Sequence, residues 1–137
     1  MNRVLIDTNI VIDLLAMRKD FYEEAADLFS RADKKELVLA ISALTFANTN
    51  YILTKLKSTK EAREILRKFK LLVEIVSLDE KITQLALSDD NFQDFEDGLQ
   101  YYSAMENQID IIITRNKKDF KNSKIPVLTA KEFMAKK

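Results

Sequence analysis

The sequence predicts an α/β fold, a parallel sheet of four to five strands with helices on both faces. Three observations predict it. Short apolar runs at Val4–Ile6, Leu37–Ile41, Leu72–Val76, Ile111–Ile113 and Val127–Leu128 are too continuous for strands with one wet face. Longer segments between them repeat their apolar residues at helical spacing. A helix-capping residue also follows most of the apolar runs.

In chain order, Arg3 to Ile6 reads as a buried strand ending at Asp7, with Thr8 or Asn9 capping a helix through Leu15. Phe21 to Ala32 places Ala25, Leu28, Phe29 and Ala32 on one helical face. Leu37 to Ile41 is a second strand, and Ser42 caps the helix that carries Leu44, Ala47, Tyr51 and Ile52. Ser58 or Thr59 opens a helix with Glu61 near the capping-box position and a stripe of Ala62, Ile65, Leu66 and Phe69. Leu72 to Val76 is a third strand, Asp79 caps a helix to Leu87, and Ser88 to Asn91 is a loop. A helix runs from about Asp94 to Asn107, and Ile111 to Thr114 is a fourth strand. After a polar loop, Val127-Leu128 is a short fifth strand, and Thr129 caps a last helix to the C-terminus. Right-handed crossovers bring the carboxyl ends of all strands to one edge, where ligands bind in open sheets. Asp7, Ser42 and Thr114 to Asn116 stand at those ends.

Composition bounds the chemistry. The 137 residues suit one domain, spanning 1–137, which can bury about 70% of its unfolded surface. There is no cysteine and no histidine. A disulfide framework, a thiolate or histidine metal site, a Ser-His-Asp triad and a histidine general base are all excluded. Any metal must sit on oxygen, which favours Mg²⁺ or Mn²⁺. One glycine, Gly98, and one proline, Pro126, leave no glycine-rich phosphate loop. The N-terminus carries no signal-peptide pattern, and no apolar run is long enough to span a bilayer, so the expected location is the cytoplasm, without membrane contact.

The 22 basic and 22 acidic residues balance, but unevenly along the chain. Lys55 to Lys70 holds seven Lys/Arg against two Glu, and Arg115 to Lys137 holds eight against Asp119 and Glu132. Asp79 to Asp97 holds seven acids and only Lys81. Such runs are either solvated helix faces or an acidic focus flanked by segments that can meet a polyanion.

Asp7 is either a metal ligand or the cap of the next helix. Asp94 and Asp97 lie three apart on one helical face, where a cation would relieve their repulsion, although Asp94 and Glu96 also suit a helix N-terminus. Gly98, costly inside a helix, points either to close approach by a ligand or to packing. In Thr114-Arg115-Asn116-Lys117-Lys118-Asp119, Thr114 and Asn116 can hydrogen-bond water or phosphate, and the basic residues can meet a nucleic-acid backbone. Asp119 is either a further ligand or the cap of a short turn.

These residues also carry a resemblance. Val4-Leu5-Ile6-Asp7-Thr8-Asn9, Ile41-Ser42-Ala43-Leu44-Thr45, Asp97 with its small neighbour, and Ile112-Ile113-Thr114-Arg115-Asn116 with Asp119-Phe120 resemble the PIN-domain family in order, spacing and total length. The match covers essentially the whole chain. It implies a three-layer α/β/α sandwich and Mg²⁺ or Mn²⁺ held by acids at four places. It also implies hydrolysis of RNA phosphodiester bonds and, as in many members, the toxin role of a toxin–antitoxin pair with an antitoxin protein as partner. Asp7 matches the first acid and Asp97 the third, while the second place falls on Asn48 and the fourth on Asn116. Asp119 matches an additional acid in the same loop. A subgroup similar to this chain shares Asn at the Asn48 place, with Asp-Phe-Glu-Asp and Thr-Arg-Asn nearby, which argues for a variant site.

On this resemblance Asp7, Asp97, Asp119 and Asp94 bind metal. Asp7, Asp97, Thr114, Asn116 and Asp119 form the catalytic set. Asn9, Asn48, Arg18, Arg115 and Lys117 face the RNA, with Lys19 helping to steer it. The two amides support a rival, a weak or inactive PIN-like domain that binds RNA or a protein partner. A haloacid-dehalogenase type of phosphotransfer domain would need an acid where Asn9 stands, and a receiver domain would need an acidic pair before Asp7. A homodimer face on the Phe21–Phe29 or Ile65–Phe69 stripe remains open, although such stripes are more often core.

Overall fold

The computed structural model describes residues 2–136. Five strands, β1 (Arg3–Ile6), β2 (Val38–Ser42), β3 (Glu74–Val76), β4 (Ile111–Ile113) and β5 (Val127–Leu128), form one sheet in the order β3-β2-β1-β4-β5. Every neighbouring pair is parallel. The helices are α1 (Thr8–Leu15), α2 (Tyr22–Asp33), α3 (Ala43–Leu56), α4 (Thr59–Lys70), α5 (Glu80–Leu87), α6 (Phe95–Glu106) and α7 (Ala130–Ala135), with a 3-10 turn at Lys117–Phe120. No described helix is long and apolar enough to cross a membrane.

Alternation along the strands divides the core. Val4, Ile6, Leu39, Ile41, Ile111 and Ile113 face one side, where α1, α2 and α7 cover them with Leu28, Phe29 and Phe133. Leu5, Ala40 and Ile112 face the other, under Tyr101 of α6 and the loop residues Phe92 and Phe120. Ile82 and Ala86 of α5 pack on Leu99 of α6. Both faces of the sheet are thus dry at β2, β1 and β4, which is why these strands read as unbroken apolar runs, whereas Glu74 and Ile75 of the edge strand β3 are exposed. Of the two helical stripes offered as dimer faces, Leu28, Phe29, Leu66 and Phe69 are core, whereas Phe21 is exposed and Ile65 half-buried.

The caps follow the sequence closely. Ser42, Ser58, Asp79, Asp94 and Thr129 each accept a backbone N–H of the first turn, and Thr129 with Glu132 completes a capping box. The cap of α1 is Asp7, one of the two roles weighed for it, and not Thr8 or Asn9, because the helix starts directly at Thr8. The third strand starts at Glu74 rather than Leu72, because Leu72 and Val73 still bond back to the end of α4.

With so few glycines, Met17, Lys35 and Gln108 take the left-handed positions that close α1, α2 and α6. Gly98 is not used for a turn. It is buried in α6 against α5, and a methyl group there would meet Ala86 Cβ and Phe92 Cβ at an ordinary 3.6 Å. Packing, not ligand approach, explains its position. Gly98→Ala should therefore stabilise the protein by up to about 1 kcal/mol, read as a higher urea midpoint at unchanged slope.

Candidate metal centre

The sheet order reverses between β1 and β4, since the chain moves outward to β3 on one side and to β5 on the other. The crevice at such a switch point is where open α/β sheets bind ligands. Asp7 sits there. Its backbone N–H donates to Ile113 O at 3.0 Å and draws the ends of β1 and β4 together.

The Asp7 carboxylate is held on both oxygens. Oδ2 accepts the Thr114 hydroxyl at 2.8 Å, and Oδ1 accepts the Thr8 backbone N–H at 2.7 Å. Longer contacts of 3.4 Å reach it from Asn9 Nδ2 and Gln100 Nε2. Thr114 Oγ1 also accepts the Asn116 N–H at 3.0 Å, which ties the loop after β4 to the same carboxylate. Behind Asp7, Gln100 Nε2 donates to Thr45 Oγ1 at 3.0 Å, and Thr45 shares a 3.0 Å hydrogen bond with Thr8. Gln100, Thr45 and Thr114 are buried. Gln100 Oε1 is left without a hydrogen-bond partner.

Burial raises the pKa of Asp7 above its ordinary value, against the hydrogen bonds from Thr114, Thr8 and Gln100. Asp97, in the first turn of α6, is pushed up to about 7, first by burial and then by the charges of Asp7, Asp94, Asp119 and Glu96. No described lysine or arginine forms an ion pair with any of these five. A cluster of repelling carboxylates without a countercharge, offering only hard oxygen donors, fits a divalent cation of the Mg²⁺ class. No three described Asp or Glu carboxylates stand close enough to enclose an ion by themselves, so water, amide or hydroxyl oxygens must complete any donor set.

The remaining site candidates are placed as follows. Asp94 caps α6, accepting the Glu96 N–H at 2.9 Å, while its charge still bears on Asp97. Asp119 lies in the exposed 3-10 turn and its side chain caps nothing. Asn48, at the usual second acidic place, donates to Glu96 Oε1 at 3.4 Å. Asn116 is exposed, its backbone O accepts the Asp119 N–H at 3.0 Å, and it lines a different cavity, with Asp13, Phe21 and Arg115.

Three basic residues assigned to RNA are otherwise engaged. Arg115 makes two bonds to the buried Asp13, at 2.8 and 3.1 Å, and lies 4.0 Å over the Phe21 ring. Arg18 is 3.6 Å from the same carboxylate, and Lys117 pairs with Glu132 at 3.0 Å.

Two cavities meet at Asp97. One, of about 320 Å³, is walled by Asp7, Leu44, Asn48, Tyr51, Asp97 and Gln100. The other, of about 740 Å³, includes Asn91, Asp94, Asp97, Lys118, Asp119 and Lys121. Sequence reasoning named Lys118 as a backbone contact but assigned no role to Gln100, Thr45 or Lys121. Gln100 was within reach, since it lies three residues after Asp97 on the same helical face. Thr45 was not, because its value depends on a contact between α3 and α6.

Comparison with known proteins shows the family. A family model described as PIN domain matches residues 3–118. Ribonuclease VapC1 from Aquifex aeolicus (strain VF5) is 31% identical over 137 residues, covering 96% of this chain and 92% of its own length. A toxin–antitoxin complex from Klebsiella pneumoniae contains a chain 25% identical, with a TM-score of 0.69 and coverage of 93% of this chain and 97% of that one. DNA-bound VapBC from Salmonella typhimurium matches in fold, with a TM-score of 0.72 at 16% identity over 95% and 99% of the two chains. With a match over most of its length, and a sheet whose switch point gathers the acids, the chain belongs to the PIN-domain family.

Proposed function

We propose that the chain is a cytoplasmic, divalent-metal-dependent ribonuclease that hydrolyses RNA phosphodiester bonds as the toxin of a toxin–antitoxin pair. The observation that carries this is the uncompensated carboxylate cluster around Asp97 at the switch point of the sheet. The 31% identity to a ribonuclease supports it.

Asp7 and Asp97 hold Mg²⁺ or Mn²⁺, with Asp119 and Asp94 adding negative charge around it. The ion, when bound, lowers the pKa of a coordinated water and offsets charge on the phosphate. Thr114 and Gln100 keep the Asp7 oxygens in place, so that little rearrangement remains for the reaction. Asn116, whose N–H is anchored on Thr114, is exposed on the same loop, where its amide can meet a water or a phosphate oxygen. Asn48 and Asn9 line the path of the strand. Lys118 and Lys121 serve as phosphate contacts more readily than Lys117, Arg115 or Arg18, whose charges are already paired. The likeness to the Klebsiella toxin–antitoxin complex supports an antitoxin protein as partner.

The amides Asn48 and Asn116 favour a second reading, a PIN domain that holds RNA without efficient cleavage. A mixed RNA pool incubated with the protein, in Mn²⁺ or Mg²⁺ and in EDTA, separates the two. Fragments that appear only with the ion are the expected result. RNA retained in a gel shift yet uncut under every condition would establish the second reading.

A further inference from the structure

We propose that Tyr51 is the stacking platform for an unpaired base of the RNA, beside Asp7 and Asp97, and that the adjoining phosphates run out over Lys118 and Lys121. This inference rests on the ribonuclease reading and assigns the two sides of its site.

Tyr51 is 62% exposed, although α3 turns Leu53 into the core. Its ring is bare of aromatic neighbours and has only an ammonium over one face, Lys55 Nζ at 4.2 Å from the centroid. Asn48, Tyr51 and Lys55 follow one another at helical spacings of three and four, so they share one face of α3. That face forms a wall of the cavity that Asp7 and Asp97 also line.

Both cavities carry acids, but only one of them carries cations. On the Tyr51 side every charged lining residue is acidic: Asp7, Glu96 and Asp97. Such a wall repels a phosphate and admits an uncharged base, whose exocyclic amines can donate to carboxylate or amide oxygens. The cations that line the two cavities, Lys118 and Lys121, both stand on the other side of Asp97, among Asp90, Asp94 and Asp119, and there they supply the donors that phosphates need. A strand crossing Asp97 thus has its base on the tyrosine side and its phosphates against the two lysines. Lys55 Nζ covers one face of the ring, so the base stacks on the other. Only an unpaired nucleotide can present its face in this way, so the substrate is a single strand or a loop.

The test uses the full chain. Binding of a short fluorescent single-stranded oligoribonucleotide is followed by anisotropy in an Asp97→Asn background, where cleavage is suppressed. Tyr51→Ala should weaken binding about 10- to 100-fold, while Tyr51→Phe and Tyr51→Trp should remain within about threefold. An oligonucleotide with one abasic position should lose the same factor on the tyrosine protein and lose nothing further on Tyr51→Ala. In the otherwise unaltered chain, Tyr51→Ala should raise KM and preserve kcat. The exposed position makes an unchanged Tm the control for folding. If RNA is bound and cut equally well by Tyr51→Ala, the inference fails and the ribonuclease reading stands. The same holds if Tyr51→Ala loses only binding of an antitoxin protein. If the unaltered chain neither binds nor cuts RNA, both fail.

Discussion

Asp97→Asn is expected to make the metal-free protein more stable and at the same time to abolish cleavage, with a loss beyond about 100-fold. The two effects share one cause. The Asp97 carboxyl is lifted to about 7 by burial and by Asp7, Asp94, Asp119 and Glu96, whereas in the unfolded chain it titrates near 3.8. The folded state therefore binds this proton more tightly than the unfolded state. Its stabilising contribution is complete below about pH 4 and disappears as pH rises through about 7. At pH 8 the ionised group opposes folding by about 1–2 kcal/mol, after allowance for the open, solvated side of the cleft. Asparagine removes that charge. In EDTA, the melting temperature of Asp97→Asn should exceed that of the unaltered chain at pH 8.5, and the gap should close by pH 5. Addition of Mn²⁺ should raise the melting temperature of the unaltered chain and move the variant much less. Coincident melting curves at pH 8.5 without metal would show that Asp97 bears no such repulsion.

Asp13→Ala is expected to destabilise the protein by about 3 kcal/mol. Asp13 is 1% exposed and receives both Arg115 bonds together with Arg18. Its removal leaves the guanidinium packed on Phe21 without its carboxylate, a part-buried charge with no partner. The urea midpoint is the readout. The damage should reach the site as well, because Arg115 lies between Thr114 and Asn116 and fixes the loop that carries both. Asp13→Asn keeps one acceptor and should cost less. Replacing the pair together, Asp13→Leu with Arg115→Met, should recover most of the stability. If the double variant also cleaves RNA, Arg115 serves to hold the loop and makes no contact with substrate that activity needs. If it is stable and inactive, the guanidinium takes part at the site.

Much of the fold was legible because its signals are local. A cap such as Ser42 or Thr129 acts within three residues, and the apolar period of α2 or α4 is complete within a dozen. The misplacements were local too. Asp7 caps α1 because no residue separates strand from helix, and β3 starts late because Leu72 and Val73 finish the preceding turn. The basic loop after β4 was legible only as charge. Nothing in Arg115 or Lys117 reveals that Asp13, 102 positions away, and Glu132, 15 positions away, engage them.

By itself the sequence determined the alternation of strands and helices, the placement of Asp7 at a strand end and of Asp97 in a helical first turn, and an oxygen-only donor set with no histidine or cysteine. Those features follow from residue chemistry and from spacing over a few positions. The tertiary structure decided the rest. The order β3-β2-β1-β4-β5 sets β4 against β1 and brings Thr114 to Asp7 across 107 positions. The layering of α6 over the sheet lets Gln100 hold that carboxylate and sets Asp97 between the cavity of Tyr51 and the cavity of Lys118 and Lys121. Strand order and helix docking depend on how whole apolar faces bury one another, and no short stretch of the chain carries that information.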